Sequence, residues 1–495
     1  MIVKFCFSLY TSVLYTYAMP RLEKTRISYV CQQCGKDSPK WVGRCPECQA
    51  WNTMVETVMS RAPVDKVAVR GEPARKLSRV ELKNTDRLPL PLTELNRVLG
   101  GGLVAGSVAL ISGEPGIGKS TLLLQVADMV STVRGSAVYV SGEETEQQIK
   151  LRAQRLGING ENLFLLSETD LGVVINELDN LNPGFVVIDS IQTVGLPELG
   201  AAPGNITQIR ECTLRLLQWA KTKNVPVFIV GHVTKSGDIA GPKALEHIVD
   251  IVLYFEGAPF SAYRLLRCAK NRYGSTNEVG VFEMVEKGLL QVDNPSQVFI
   301  SEHEENIGSA IAPVMEGNRP LLVEIQSLAS PSYFGMPRRV ANGLDYNRLL
   351  LIIAVLGKRA GLRLGNQDVL VNVAGGLKIE EPGADLATAL SMASSYYDSG
   401  IKPGLVAVGE IGLSGELRPV FQTERRVTEA ARLGFKYCLV PRSGIKSLAP
   451  VKGLELIPVS TLKEAIFKAL GRVRRHSDGE EKTPPEDIFK TSSDQ

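Results

Sequence analysis

The chain has 495 residues, 44% of them hydrophobic and 22% charged, and a formal net charge of +3. The length asks for about three domains, and the composition is that of a soluble globular protein, not of a fibrous or wholly disordered one. So balanced a charge excludes a uniformly basic nucleic-acid binder, and any basic surface has to be local.

Residues 1–27 read as an N-terminal extension. The first eighteen loosely imitate a secretory signal, but Ser, Thr and Tyr break the apolar run and it is short for a membrane span. Met19-Pro20-Arg21 reads as a more natural start, which makes residues 1–18 an over-long gene prediction. No membrane association is expected.

Residues 28–56 form a cysteine module with the spacing C-x2-C-x10-C-x2-C: Cys31, Cys34, Cys45 and Cys48. Each C-x2-C pair can place two thiolates on one ion, and four thiolates complete a closed tetrahedral Zn²⁺ site. The metal is therefore structural, and its binding energy stands in for a core the module is too short to build. The other four cysteines (Cys6, Cys212, Cys268, Cys438) are scattered, which fits free thiols in a reducing, cytoplasmic compartment. Lys36, Lys40, Trp41 and Arg44 are candidates for nucleic-acid or partner contact, with a plain solvated surface as the alternative.

Residues 57–86 are polar, contain Pro and read as a linker. From 87 to 290, near-continuous apolar strands (107–112, 137–141, 162–166, 185–189, 226–230, 249–255) alternate with helical stretches (119–131, 145–156, 205–223). That pattern predicts a mostly parallel sheet covered on both faces. Strands 263–269 and 278–285 have no helix between them and predict an antiparallel end to the sheet. Residues 295–471 form a second α/β unit, and the charged stretch 472–495 reads as a disordered tail.

The strongest motif is Gly113-Glu114-Pro115-Gly116-Ile117-Gly118-Lys119-Ser120-Thr121, a G-x-x-x-x-G-K-[ST] phosphate loop between a strand and a helix. Successive backbone N–H groups and a helix N-terminus cradle the phosphates of ATP. Lys119 is expected to reach the β/γ-phosphates, and the Ser120 hydroxyl to hold Mg²⁺. Asp189 ends a strand read as the neighbour of the P-loop strand, and is the second expected Mg²⁺ ligand. Glu143, supported by Glu144, is expected to orient or deprotonate the attacking water. His232 ends another strand and is placed to sense the γ-phosphate. The following loop, 234–247, carries Lys235 and Lys243 and is a candidate for single-stranded DNA, with an ordinary surface loop as the alternative. Lys270-Asn271-Arg272-Tyr273-Gly274 reads as a turn exposing two cations and an aromatic ring. It suits either DNA or, as a finger supplied in trans, a neighbour's γ-phosphate.

The phrases ELNRVLGGGLVAGSVALISGEPGIGKSTL, YVSGEE, VVIDSIQT and GHVTK resemble the RecA-like ATPases. With the four-cysteine module and the KNRYGS segment, the chain resembles within them the bacterial RadA (Sms) family over about Tyr29 to Gly471. That resemblance implies a homo-hexameric ATPase of DNA repair and recombination. It implies binding to single-stranded and branched DNA, promotion of branch migration, and RecA recombinase as a partner. Tyr273 stands where the family's KNRFG signature has Phe, which keeps the ring.

Two further phrases, EEPGADLATALSMASS and GEIGLSGELRPVFQTERRVTEAARLGF, resemble the proteolytic domain of Lon. Its Ser and Lys positions fall on Asp385 and Glu424, neither of which can play those parts. Ser391 and Arg425 lie nearby but off register. The expected fold is therefore α/β: a RecA-like P-loop core, a zinc ribbon-like module in front and an inactive Lon protease-like α+β domain behind. An ATP-dependent Lon-like protease is the disfavoured alternative.

Overall fold

The computed structural model describes residues 26–31, 35–59, 76, 78, 87–232, 244–257, 261–300, 307–333 and 336–470. Cys34, Lys235, Lys243, most of the linker and the 472–495 tail lie outside them.

The first unit is a three-stranded antiparallel sheet of β1 (Arg26–Cys31), β2 (Asp37–Ser38) and β3 (Met54–Met59), with β1 in the middle. Its apolar interior is small: Cys31, Cys45 and Met54, with Tyr29 and Val42 packed against them.

Helix α1 (Thr93–Leu99) leads into the central sheet. Its parallel part comprises β4 (Val108–Gly113), β5 (Ala137–Ser141), β6 (Leu163–Ser167), β7 (Phe185–Asp189), β8 (Val227–His232) and β9 (Ile251–Glu256). The antiparallel edge comprises β10 (Tyr263–Asn271), β11 (Val279–Val285) and β12 (Gly288–Gln291). The strand order is β12-β11-β10-β9-β4-β8-β7-β5-β6. Every residue of β4, β5 and β7 is buried, which is why these strands read as unbroken apolar runs. Alternate residues face opposite cores: Ala109, Ile111, Tyr139, Phe185 and Val187 on one side, Val108, Leu110, Val138, Val186 and Ile188 on the other.

Helix α2 (Lys119–Arg134) packs into the first core. Helix α3 (Glu146–Arg155) starts with a Thr145–Gln148 capping box. Helices α4 (Leu171–Leu181) and α5 (Ile206–Lys223) cover the second core. Helix α4 is absent from the sequence reading. Its signals are an Asp170 side chain accepting the Gly172 N–H, and buried Leu171, Val174 and Leu178 at helical spacing. A second correction concerns Asp189. Its strand β7 is not beside the P-loop strand, because β8 lies between β4 and β7.

The C-terminal unit is built on β13 (Ser309–Glu316), β14 (Arg319–Pro331), β15 (Arg339–Asn342), β16 (Gln367–Val373), β17 (Leu405–Ala407), β18 (Glu410–Ile411), β19 (Leu417–Arg418), β20 (Tyr437–Pro441) and β21 (Glu455–Val459). Seven of these form a mixed sheet, β15-β16-β14-β13-β17-β20-β21, and β18 pairs with β19. Helices α6 (Tyr346–Val355), α7 (Asp385–Tyr397), α8 (Thr423–Arg432) and α9 (Leu462–Ala469) complete it.

The β13–β14 turn docks on the antiparallel edge of the central sheet. Arg319, 9% exposed, pairs with Glu94 of α1, 2% exposed. Glu94 Oε2 also accepts the Val281 N–H at 2.8 Å. Arg267 of β10 bridges Glu316 and Glu256, and the Asn318 N–H donates to Asn277 O at 2.5 Å. Among the described residues, no helix is long and apolar enough to cross a membrane.

Candidate ATPase site

The parallel ladder assembles the site from strand ends. Register places Gly113 opposite His232 across β4 and β8, and Ser141 opposite Asp189 across β5 and β7. The P-loop, the Glu143–Glu144 turn, Asp189 and His232 therefore share the carboxyl edge of one sheet, where open α/β sheets place ligands.

Two glycines shape the loop. Gly116 has φ +77°, and a Cβ added there would meet nothing within 4 Å, so its backbone is open for a phosphate to approach. Gly118, the N-cap of α2, has φ +111°, and a Cβ there would sit 2.4 Å from Met284 Cε. Lys119 is 3% exposed, and its ammonium donates to Gly113 O at 2.8 Å and Glu114 O at 2.9 Å. Burial lowers its pKa from 10.5 to about 8, against the opposing charges of Asp189 and Glu143.

Asp189 is 6% exposed and accepts the Tyr139 hydroxyl, which also interacts with Ser120. Ser120 and Asp189 offer the hard oxygen donors that suit Mg²⁺, whose bound charge would offset that of the phosphates. Glu143 Oε1 accepts the Ser190 hydroxyl at 2.5 Å and lies 3.4 Å from His232 Nε2. Burial, and then the Lys119 charge, lower the His232 pKa and favour its neutral ring. Glu144 instead pairs with Arg152 of α3. Of the two glutamates, Glu143 is the one joined to Ser190 and His232. Sequence reasoning missed Tyr139 and Ser190. Tyr139 is hidden in an apolar strand, and Ser190 is overshadowed by its neighbour Asp189.

The Lys270–Gly274 segment departs from the expected exposed turn. Lys270 and Asn271 belong to β10. The Lys270 ammonium points inward and donates to Glu246 O at 2.6 Å and Val249 O at 2.8 Å. Asn271, 9% exposed, donates to Leu99 O at 3.2 Å and accepts the Tyr273 N–H. Tyr273 is only partly exposed. Arg272 is the exposed cation, its side chain 50% accessible and 3.6 Å from Asp250.

In the cysteine module, the sulfurs of Cys31, Cys45 and Cys48 lie within 4.8 Å of one another, and Cys31 and Cys48 are 3.6 Å apart. Those spacings fit thiolates about 2.3 Å from a shared tetrahedral ion. In the C-terminal unit, Asp385 is 1% exposed, and Arg348 Nε donates to it at 2.7 Å. Glu424 is exposed in the first turn of α8. Ser391 is buried against Ser327 at 2.6 Å, and Arg425 donates to Asn318 O at 3.2 Å. None of the four forms a Ser–Lys pair.

A buried lysine, a strand-end aspartate and a hydrogen-bonded glutamate around a phosphate loop define a RecA-like P-loop ATPase, an ATP-hydrolysing enzyme. Family comparison agrees. An AAA domain family matches residues 74–238, a rubredoxin metal binding domain family residues 29–56, and the Mg-chelatase subunit ChlI family residues 350–444. The DNA repair protein RadA of Bacillus subtilis strain 168 is 50% identical over 457 residues, spanning 91% of this chain and 100% of that protein. DNA repair protein RadA of Halalkalibacterium halodurans is 48% identical over 91% of this chain and 100% of its own. That of Listeria monocytogenes serovar 1/2a is 49% identical over 90% and 99%. The chain belongs to the DNA repair protein RadA family. It has the expected architecture of a RecA-like core between a zinc-ribbon module and a ChlI-like, Lon-related domain.

The Lys119 environment sets a pH dependence. Bound phosphates favour the ammonium form, whereas the free site has lost half its charge by about pH 8. ATP binding above that pH therefore takes up a proton. The apparent Kd rises with pH above 8, by up to about tenfold per unit. Calorimetry in buffers of different ionisation enthalpy measures the uptake, and a pH-independent Kd between 8 and 9.5 contradicts it.

Proposed function

We propose that the chain is a DNA-dependent ATPase of homologous recombination and repair that promotes branch migration on single-stranded and branched DNA. The observation that carries this reading is the convergence of Lys119, Asp189, Glu143 and His232 on one strand edge around the P-loop. Gly113–Thr121 bind ATP, and Lys119 offsets charge on the β/γ-phosphates. Ser120 and Asp189 hold Mg²⁺, with Tyr139 orienting Asp189. Glu143, held by Ser190, aligns the attacking water and receives its proton. His232 senses the γ-phosphate and links it to the segment after β8, where Lys235 and Lys243 are the DNA candidates. Cys31, Cys34, Cys45 and Cys48 hold a structural Zn²⁺.

The assembly proposed is a cytoplasmic homo-hexamer working with RecA recombinase. In it Arg272, the exposed cation of its segment, is better placed than Lys270 to reach a neighbour's nucleotide or DNA. The domain units proposed are residues 28–56, 87–290 and 295–471, with the last contributing assembly and not peptide cleavage.

ATPase activity with and without single-stranded DNA, over a salt series, tests the reading. Stimulation is expected at low salt and should fall steeply as salt rises, because phosphate contacts release counterions. Absent stimulation at low salt, or DNA-stimulated turnover by Lys119→Ala, overturns it.

A further inference from the structure

We propose that the zinc module carries a stacking platform for unpaired nucleic-acid bases, formed by Trp41 and Trp51 and held by Arg44. The proposal rests on the DNA-binding reading above and gives it a specific surface.

The chain has three tryptophans. Trp219 is 7% exposed, and its indole N–H donates to Asp179 at 2.8 Å. The other two lie in the cysteine module and are 56% (Trp41) and 70% (Trp51) exposed. Two large apolar side chains left outside so small a core form a patch that invites an occupant.

The rings are also fixed in place. Trp41 Nε1 donates to Met54 O at 3.2 Å. Trp51 forms an antiparallel backbone bridge with Arg44. Arg44 Nε donates to Gln49 O at 2.9 Å, and its guanidinium carbon sits 5.7 Å from the Trp51 ring centroid, within cation–π range. Gly43 lies between the two rings. A Cβ there would be 3.6 Å from Trp41 and 3.9 Å from Trp51, ordinary contact distances, so both indoles border this one position. A preset pair of aromatic faces loses little side-chain entropy on binding.

Charge identifies the occupant. Lys40 and Arg44 are exposed on either side of Trp41–Gly43, and the exposed carboxylates of Asp37 and Glu47 lie outside that stretch. Aromatic faces flanked by cations suit a strand whose bases stack while its phosphates are neutralised. A duplex keeps its bases stacked on one another, so the ligand is single-stranded.

The test uses the zinc-loaded full-length chain, oligothymidylate and a duplex of equal length. Tryptophan emission and the anisotropy of labelled oligonucleotide are read together. Oligothymidylate is expected to quench emission, and the duplex is not. Trp51→Ala should weaken oligothymidylate binding roughly tenfold, in the range of one lost base stack. The slope of log affinity against log salt should not change, because no phosphate contact is removed. Trp51→Phe should recover most of the affinity, and zinc content and DNA-free ATPase should match the wild type. Tight wild-type binding without quenching, or undiminished binding by Trp41→Ala/Trp51→Ala, overturns the platform and leaves the DNA-dependent reading standing. A wild-type chain that binds no oligothymidylate overturns both.

Discussion

Glu143→Gln lowers the rate constant of ATP hydrolysis by about 10²- to 10⁴-fold, the usual contribution of a positioned general base. Gln keeps the size of the side chain and an oxygen to accept the Ser190 hydroxyl, now 2.5 Å from Glu143 Oε1. It cannot take up the proton that attacking water must lose. The P-loop contacts are untouched, so ATP binding should stay within about threefold of wild type, and the loss should fall on kcat. Single-turnover hydrolysis and nucleotide-binding titrations measure the two effects. Turnover within about threefold of wild type would assign the base elsewhere. Glu144→Gln is the matched control: Glu144 pairs with Arg152 of α3, and a much smaller loss of turnover is expected.

Arg319→Met destabilises the protein by about 3–5 kcal/mol, because it removes the buried cation that pairs with the buried Glu94 carboxylate. Glu94 is 2% exposed and would keep the Val281 N–H at 2.8 Å, but its remaining cation, Arg97, is 3.7 Å away and partly in solvent. The Glu94→Gln/Arg319→Met double variant should recover most of the loss. It retains an acceptor for Val281 and buries no charge. Urea unfolding followed by circular dichroism gives both values. A single variant within about 1 kcal/mol of wild type would show that the β13–β14 turn does not depend on this pair.

Much of the site is legible in the sequence because its chemistry is local. The P-loop needs a strand, a glycine-rich turn and a helix in immediate succession, and residues 107–131 spell out all three. Asp189, Glu143 and His232 stand out because each polar side chain closely follows an apolar strand. The cysteine pairs declare a metal site by spacing alone. Helix α4 also has its signals, with Asp170 as cap and Leu171, Val174 and Leu178 on one face, but they are weak beside the neighbouring strand patterns.

Other features depend on contacts between residues far apart in the chain. The insertion of β8 between the P-loop strand and β7 follows from crossovers of dozens of residues, which no local pattern encodes. Lys270 reads as an exposed cation because composition cannot reveal that carbonyls of Glu246 and Val249 wait for it some twenty residues upstream. The inward turn of Lys270 leaves Arg272 as the outward cation. Similarly, only packing shows Tyr139 reaching Asp189, Ser190 holding Glu143, and Glu94 meeting Arg319 across 225 positions.

Residue order alone shows a nucleoside triphosphate loop, a cysteine metal site and the lack of a Ser–Lys dyad at the aligned positions. Each of those properties depends on residue type at short spacing. Only the folded chain sets which glutamate is joined to Ser190 and His232, which cation of the KNRYG segment points outward and how the C-terminal unit docks. Hydrogen bonds and ion pairs formed at long range set each of these, and their strength depends on burial that only the folded chain creates.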